Sequence, residues 1–316
     1  ITRVFLPGFD NALLDSLEDS TIFEIGDTRL AFSTDSYTVD PIFFPGGDIG
    51  CLAVHGTVND VAMRGADPLY LSVGFIIEEG FPMADLSRIL KSMKDAADTA
   101  GVQIITGDTK VVNRGSVDKI FINTSGIGLV REQWDIAGKN ARVGDTVLVS
   151  GTMGDHGVTV LSMREGLSFE APIQSDSAPL NGLVADMMAV SNNIRALRDP
   201  TRGGLVTTLN EIALQSDVGI ELVEDQIPVR EGVEGACELL GLDPLYLANE
   251  GKLIAFVDPA EAETVLEAMK KNQYGREAAI IGRVTADNAG KVFMKTGIGG
   301  TRILDMLAGE QLPRIC

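Results

Sequence analysis

Apolar and polar positions switch repeatedly between a period near two and a period near 3.6 along the chain, which predicts alternating strands and helices and a mixed α/β fold. In the first half the pattern predicts strands over Leu30–Ser33, Leu69–Ile77, Gln103–Thr106 and Ile120–Leu129, with helices over Cys51–Arg64 and Ala84–Ala100. The second of these helices carries the clearest stripe. Leu86, Ile89, Leu90, Met93 and Ala97 fall on one face, with Arg88, Lys91, Lys94 and Asp95 mostly on the other. After Arg142-Val143-Gly144-Asp145 a fresh strand, Thr146–Ser150, runs into a glycine-rich turn, so the chain divides near residue 140. The second half predicts helices over Val158–Arg164, Leu183–Ser191, Leu205–Gln215, Val233–Leu240 and Pro259–Lys271, and strands over Gly219–Leu222, Leu253–Val257 and Val292–Met294. From Asp305 no periodicity persists, and the segment ending Leu312-Pro313-Arg314-Ile315-Cys316 reads as a tail. The expected organisation is two domains, 1–140 and 141–300, followed by a flexible tail over 301–316.

Composition narrows the function classes. A chain of 316 residues, 45% apolar and 22% charged, supplies a core for two domains of roughly 150 residues each. Its net charge of −19 argues against nucleic acid, whose binding draws on clustered Lys and Arg. No apolar run approaches the roughly 18 residues that cross a bilayer and no signal-peptide pattern opens the sequence, so no membrane partner and a cytoplasmic address are expected. Cys51, Cys237 and Cys316 lie far apart without a Cys-x-x-Cys pair, and the only histidines are His55 and His156. Neither a disulfide framework nor a structural zinc site is expected.

Three stretches place a carboxylate after an apolar run, among hydroxyl, amide or glycine groups: Ser33-Thr34-Asp35-Ser36-Tyr37, Gly56-Thr57-Val58-Asn59-Asp60 and Thr106-Gly107-Asp108-Thr109-Lys110. This oxygen-rich setting suits Mg2+ that also meets phosphate. Taken singly, Asp35 and Asp108 read first as turn formers and Asp60 as a helix-surface charge, and only the three together point to a metal. Lys110 is either a point charge for phosphate or a surface lysine. Ser150 to Gly157 and Asp199 to Gly204 lead through glycines into helices, where free N–H groups attract anions, though a tight turn explains either stretch as well. There is no Walker P-loop and no G-x-G-x-x-G, so nucleotide binding requires another architecture. Cys51 and Cys237 sit in apolar helix patterns and read as core thiols, and both histidines as packing or capping residues. Cys316 differs, because a thiol at the end of a tail serves no core and invites oxidation.

Together these stretches resemble the hydrogenase expression/formation proteins of the HypE family, within the PurM-like (aminoimidazole ribonucleotide synthetase-like) ATP-binding superfamily. The resemblance is carried by Phe32 to Tyr37, Asp40-Pro41 with Phe43 to Gly47, Gly56 to Ala62, Thr106 to Val112, Gly154 to Gly157, Arg198-Asp199 with Thr201 to Gly204, Ala248 to Lys252, and Pro313-Arg314-Ile315-Cys316. It implies a two-domain fold whose N-terminal domain pairs with its copy in a homodimer, with ATP bound near that interface. It also implies a reaction. Cys316 receives a carbamoyl group from the carbamoyltransferase HypF, the S-carboxamide is dehydrated to an S-cyanate (thiocyanate) at the expense of ATP, and the cyano group passes through a HypC–HypD complex to the iron of a nickel–iron hydrogenase. Carried over residue by residue, the resemblance gives Asp35, Asp60 and Asp108 to the metal. Asn59, Gly107 and Thr109 join these carboxylates around the nucleotide, Lys110 stabilises charge during phosphoryl transfer, and Glu250 takes the amide protons.

The resemblance further implies a His-Gly-x-Gly-Gly-like opening segment that helps hold the phosphates. The sequence begins at Ile1 without it, so either that segment lies outside this sequence or phosphate binding differs. From Gly300 to Cys316 an extended chain reaches up to about 55 Å, enough to visit both a loading partner and its own ATP site. Two rival readings stand beside this one. Another ATP-dependent enzyme of the superfamily would share the carboxylates but have no use for Cys316, and a non-enzymatic thiol carrier or scaffold would neither bind nor cleave ATP.

Overall fold

The computed structural model describes residues 8–9, 11, 13–14, 18–131, 133–167, 173–306 and 314–316. In the first half, strands β1 (Thr21–Ile25), β2 (Thr28–Tyr37), β3 (Phe43–Phe44) and β4 (Gly47–Asp48) precede helix α1 (Ile49–Ala62). Strand β5 (Ala66–Glu78), helix α2 (Met83–Ala100), β6 (Gln103–Val112) and β7 (Ile120–Val130) follow. The sheet order is β1-β2-β7-β5-β6, with β3 and β4 forming a separate small ribbon. Helix α1 is buried almost all round, as befits a helix apolar on every side: it lies between this sheet and the second half of the molecule. Asp48 caps its start by accepting from the N–H groups of Gly50 (2.8 Å) and Cys51 (3.2 Å). Helix α2 is amphipathic and buries Ile89, Met93, Ala96, Ala97 and Ala100. Leu90, expected on that buried face, is instead exposed at its rim.

In the second half, strands β8 (Thr146–Val149), β9 (Ile194–Arg198), β10 (Gly219–Val223), β11 (Ile254–Val257), β12 (Ala279–Thr285), β13 (Val292–Lys295) and β14 (Thr301–Leu304) form one sheet, ordered β14-β13-β10-β12-β8-β11-β9. Helices α3 (Asp155–Glu165), α4 (Asn181–Val190), α5 (Gly204–Ser216), α6 (Glu231–Leu240) and α7 (Ala262–Lys271) complete it. The central strands are apolar, β11 at every position and β8 at all but Thr146, because both faces are covered. Val147, Val149, Ile254 and Phe256 point to one side, where they pack with Leu205, Val206 and Leu209 of α5. Leu148, Ala255 and Val257 point to the other, against Leu183, Val184 and Met187 of α4 and Val265 and Met269 of α7.

Strands β1, β3, β4, β9, β12 and β14 were not expected from the pattern. Thr301–Leu304, expected to begin the tail, instead pairs antiparallel with β13 and buries Leu304 at the sheet edge. Among the described residues no helix is long and apolar enough to cross a membrane.

Candidate active site

A crevice between the halves is walled by the end of β2, by α1, and by the segments around Asp176, Asp199 and Glu250. The local sequence explains how closely these approach. A Cβ on Gly56 would stand 2.2 Å from the hydroxyl of Tyr37, and one on Gly251 would stand 1.8 Å from the carbonyl oxygen of Asp176. Asn59, buried in α1, ties the walls together. Its amide nitrogen donates to the carbonyls of Ala178 (3.0 Å) and Glu250 (3.4 Å), and its amide oxygen accepts from Leu180 N–H (2.8 Å). Asp176 accepts from Glu250 N–H (3.1 Å) and pairs with the Lys252 ammonium (3.1 Å). Burial is the largest influence at Asp176 and favours the neutral acid, but the charge of Lys252, the His156 ring and the hydrogen bonds from Glu250 N–H and Lys252 together outweigh it, and the pKa falls below the ordinary value.

Glu250 is buried, and its Oε1 has no hydrogen-bond partner. Burial first, then the charges of Asp176, Asp199 and Asp35, raise its pKa well above the carboxylate range, with Arg202 pulling the other way. Beside it lies Cys316. Burial first, then Glu250 and Asp35, push this thiol up to about 12, opposed by the charge and a hydrogen bond of Arg202. The described end of the chain is therefore docked in the crevice: Thr38 N–H donates to Cys316 O at 2.9 Å, and the His156 imidazole lies 2.7 Å from Ile315 O.

Asp19, Asp60 and Asp199 bring carboxylate oxygens within 4.8 Å of one another, the one such group among the described residues. Ser33 Oγ donates to Asp60 (2.6 Å), and Arg198 lies 2.9 Å from Asp19. Asp19 Oδ2 is buried without a hydrogen-bond partner. Burial is the leading cause that raises all three pKa values, to about 6 at Asp199 and well above the usual range at Asp60 and Asp19. Neighbouring carboxylates add to the rise. Three mutually repelling carboxylates with an unsatisfied oxygen fit a divalent cation, which prefers oxygen ligands.

The expected metal set Asp35, Asp60 and Asp108 is brought together only in part. The strand period of two explains why. Asp35 pairs in register with Thr124, whose hydroxyl donates to Ala53 O in α1 (2.7 Å), so this row faces the helices. Asp108 belongs to the next row, Ser36-Asn123-Gly74-Asp108, which faces outward. Asp35 and Asp108 thus lie on opposite faces and three strand spacings apart, roughly 14 Å across the sheet. Asp108, Thr109 and Lys110 are exposed on the edge strand β6 with Gly107, and Lys110 lies 3.0 Å from Asp108, whose pKa that ammonium's hydrogen bond holds down. None of the three carboxylates lies in a turn: Asp35 and Asp108 are within strands, and Asp60 is near the end of α1.

The N–H groups of the glycine turn before α3 are already engaged, Gly154 with Asn249 Oδ1 (2.8 Å) and Met153 with Pro228 O (2.9 Å), so the tight-turn reading describes it. Sequence reasoning missed Asp19, Asp199, Arg202 and His156 as site residues. The glycine-led stretches Ser150 to Gly157 and Asp199 to Gly204, and the resemblance over parts of them, hinted at Asp199, Arg202 and His156.

The AIR synthase related protein, N-terminal domain, matches residues 17–130, and the AIR synthase related protein, C-terminal domain, matches 142–295. The chain is 59% identical over 316 residues to carbamoyl dehydratase HypE of Azotobacter vinelandii, covering 100% of this chain and 93% of that protein. Among solved structures it is similar to a chain of the HypE–HypF complex, with a TM-score of 0.93 at 52% identity, covering 97% of this chain and 99% of that one. It is also similar to HypE in complex with ATP, with a TM-score of 0.89 at 55% identity, covering 100% of this chain and 95% of that one.

Proposed function

We propose how Cys316 is processed from the premise that this chain belongs to the carbamoyl dehydratase HypE family. It is an ATP-dependent carbamoyl dehydratase of hydrogenase maturation: an S-carboxamide on Cys316 is dehydrated, and the product supplies the cyanide ligand of the iron in a nickel–iron hydrogenase. The observation that carries the assignment of residues is the docking of Cys316 beside Glu250, Asp35 and Arg202.

A carboxamide oxygen is a poor leaving group. The γ-phosphoryl group of ATP forms a bond to that oxygen as ADP departs, and loss of the phosphate with both amide protons then leaves a thiocyanate on Cys316. The cysteine adduct loses the elements of one water overall. Glu250 is the proton acceptor. Its raised pKa makes the ionised form a strong base, and the proton it gains is retained because burial favours the neutral acid. Arg202, which lowers the pKa of both Glu250 and Cys316, places positive charge where the phosphorylated oxygen develops negative charge. Asp19, Asp60 and Asp199 would hold Mg2+, with Asp35 at the rim, and the ion would neutralise charge on the transferring phosphoryl group.

Asp108 and Lys110, with Gly107 and Thr109, reach a nucleotide only across an interface, so they belong to the site of a homodimer. Support comes from the outer face they share, which exposes Phe32, Tyr70, Ile76 and Leu129. HypF loads the carbamoyl group, a reading supported by the complex of the similar HypE with HypF, and a HypC–HypD complex takes the cyano group onward. Three unpaired cysteines fit work in the reducing cytoplasm.

Intact-mass analysis of carbamoylated protein tests the reading. With ATP and Mg2+ the loaded species loses the mass of one water, and without ATP it does not. A loaded mass that stays unchanged in both samples rules the dehydration out.

A further inference from the structure

Arg198 ends β9, directly before Asp199, and is buried. Its three side-chain nitrogens face three different carboxylates. Nε lies 2.9 Å from Asp19 Oδ1, Nη1 3.5 Å from Glu18, and Nη2 2.8 Å from Glu211 of α5. The two oxygens of Asp19 therefore have separate surroundings. Oδ1 meets the guanidinium, while Oδ2 is buried without a hydrogen-bond partner among the described residues. Asp19 is also the carboxylate that lies within 4.8 Å of both Asp60 and Asp199. An ion held by these three is thus separated from the guanidinium by a single carboxylate.

The guanidinium is itself held in place. Glu18 accepts from Gly138 N–H, in the connection between β7 and β8, with both oxygens (3.0 and 3.2 Å), and its other cation is Arg64 at 3.8 Å. The side chains of Glu18, Arg64 and Arg198 are each less than a tenth exposed, so water screens these charges little. Glu211, by contrast, is 40% exposed. Arg64 balances Glu18, which leaves the charge of Arg198 directed at Asp19. In their ionised forms Asp19, Asp60 and Asp199 with Arg198 carry two negative charges in excess, enough for one divalent ion. That ion must enter against a fixed positive charge one carboxylate away.

We propose that Arg198 is the resident counter-ion of this cluster: its charge lowers the affinity for a lone divalent ion, so the site takes its metal together with the phosphates of a nucleotide and gives it up with the product. Arg198 is a positioning residue. It touches Asp19 and not the reacting atoms. The inference rests on the reading of Asp19, Asp60 and Asp199 as the metal ligands, and the test separates the two.

Mn2+ alone is titrated into the full chain without nucleotide, and the free ion is read by electron paramagnetic resonance. In Arg198→Gln, which keeps hydrogen-bond donors but loses the charge, Mn2+ binds at least about 10-fold tighter than in the wild type. Arg198→Lys, which keeps the charge, stays within about 3-fold of wild type. Since Arg198→Gln leaves two buried carboxylates short of a cation, circular dichroism checks its fold. The double variant Arg198→Gln with Glu211→Gln removes equal and opposite charges, and still binds at least about 3-fold tighter, because the exposed Glu211 is the better screened of the two. With a non-hydrolysable ATP analogue present the advantage of Arg198→Gln disappears, because the metal–nucleotide complex is itself negative. Asp199→Asn weakens binding of Mn2+ at least about 10-fold. Unchanged or weaker binding of Mn2+ in folded Arg198→Gln and in the double variant overturns the counter-ion, as does an advantage that persists with the analogue. Unchanged binding in Asp199→Asn overturns the metal cluster and the counter-ion with it.

Discussion

Asn59 separates a strut from a nucleotide ligand, and its substitution tests which it is. Its amide makes three hydrogen bonds, two donated to carbonyls of the second half and one accepted from Leu180 N–H, at 2.8 to 3.4 Å. It is 1% exposed, so in Asn59→Ala no water takes over these bonds. Leaving one buried N–H unpaired costs about 1–3 kcal/mol, and two carbonyls with fewer partners add to it, so the expected loss is about 3 kcal/mol. Urea denaturation measures that loss as a lower midpoint, with calorimetric Mg-ATP titration run on the same preparation. Since Asn59 also holds the carbonyl of Glu250, dehydration slows more than nucleotide binding weakens. An unchanged urea midpoint with a large loss of nucleotide affinity would refute the strut and return Asn59 to the nucleotide.

Glu250→Gln keeps Mg-ATP binding and carbamoyl loading but slows dehydration about 10²–10⁴-fold, so the loaded species accumulates by mass; normal single-turnover rates would take Glu250 out of the chemistry. Asp199 has a folded pKa near 6 against an ordinary value of 3.8, so the folded state binds this proton more tightly than the unfolded one and stability from this group falls as pH rises between those values. In cation-free buffer the stability of wild type relative to Asp199→Asn should drop by up to about 3 kcal/mol from pH 4 to pH 6, then level off, and added Mg2+ should offset the drop; parallel pH profiles would count against the cluster. Asp108→Asn leaves the melting temperature unchanged because the group is exposed, yet weakens Mg-ATP binding at protein concentrations that favour the dimer. Equal affinity for both proteins throughout a dilution series would assign Asp108 no part in the site.

The helices and most strands were legible because their apolar residues recur with a clear period, as in Met83–Ala100 and Ile254–Val257. Strand β9 was not, because Arg195 and Arg198 interrupt its apolar positions. Both are spent on ion pairs, with Asp145 and Asp258 for the former and Asp19 for the latter, partners distant in sequence. Strand β12 carries Gly282 and Arg283 in its middle, and a register shift, so no alternation marks it. At the site, Glu250 and Cys316 were legible through resemblance. Asp35 and Asp108 look alike in sequence, yet a register difference of one row sends them to opposite faces. His156 was read as a packing or capping residue, since its partner, Ile315, lies far along the chain. The span 307–313 of the expected tail lies outside the described residues.

Strand β14 has one further consequence. Leu304 is buried and fixed at the sheet edge, while Arg314 is held at the crevice, so the cysteine is tethered to its own site. A tethered reactant has an effective concentration set by the length of its leash and not by how much protein a cell contains. That concentration changes slowly with length: doubling a flexible leash costs only about 0.6 kcal/mol. The chemistry at Cys316 is thus first-order in protein.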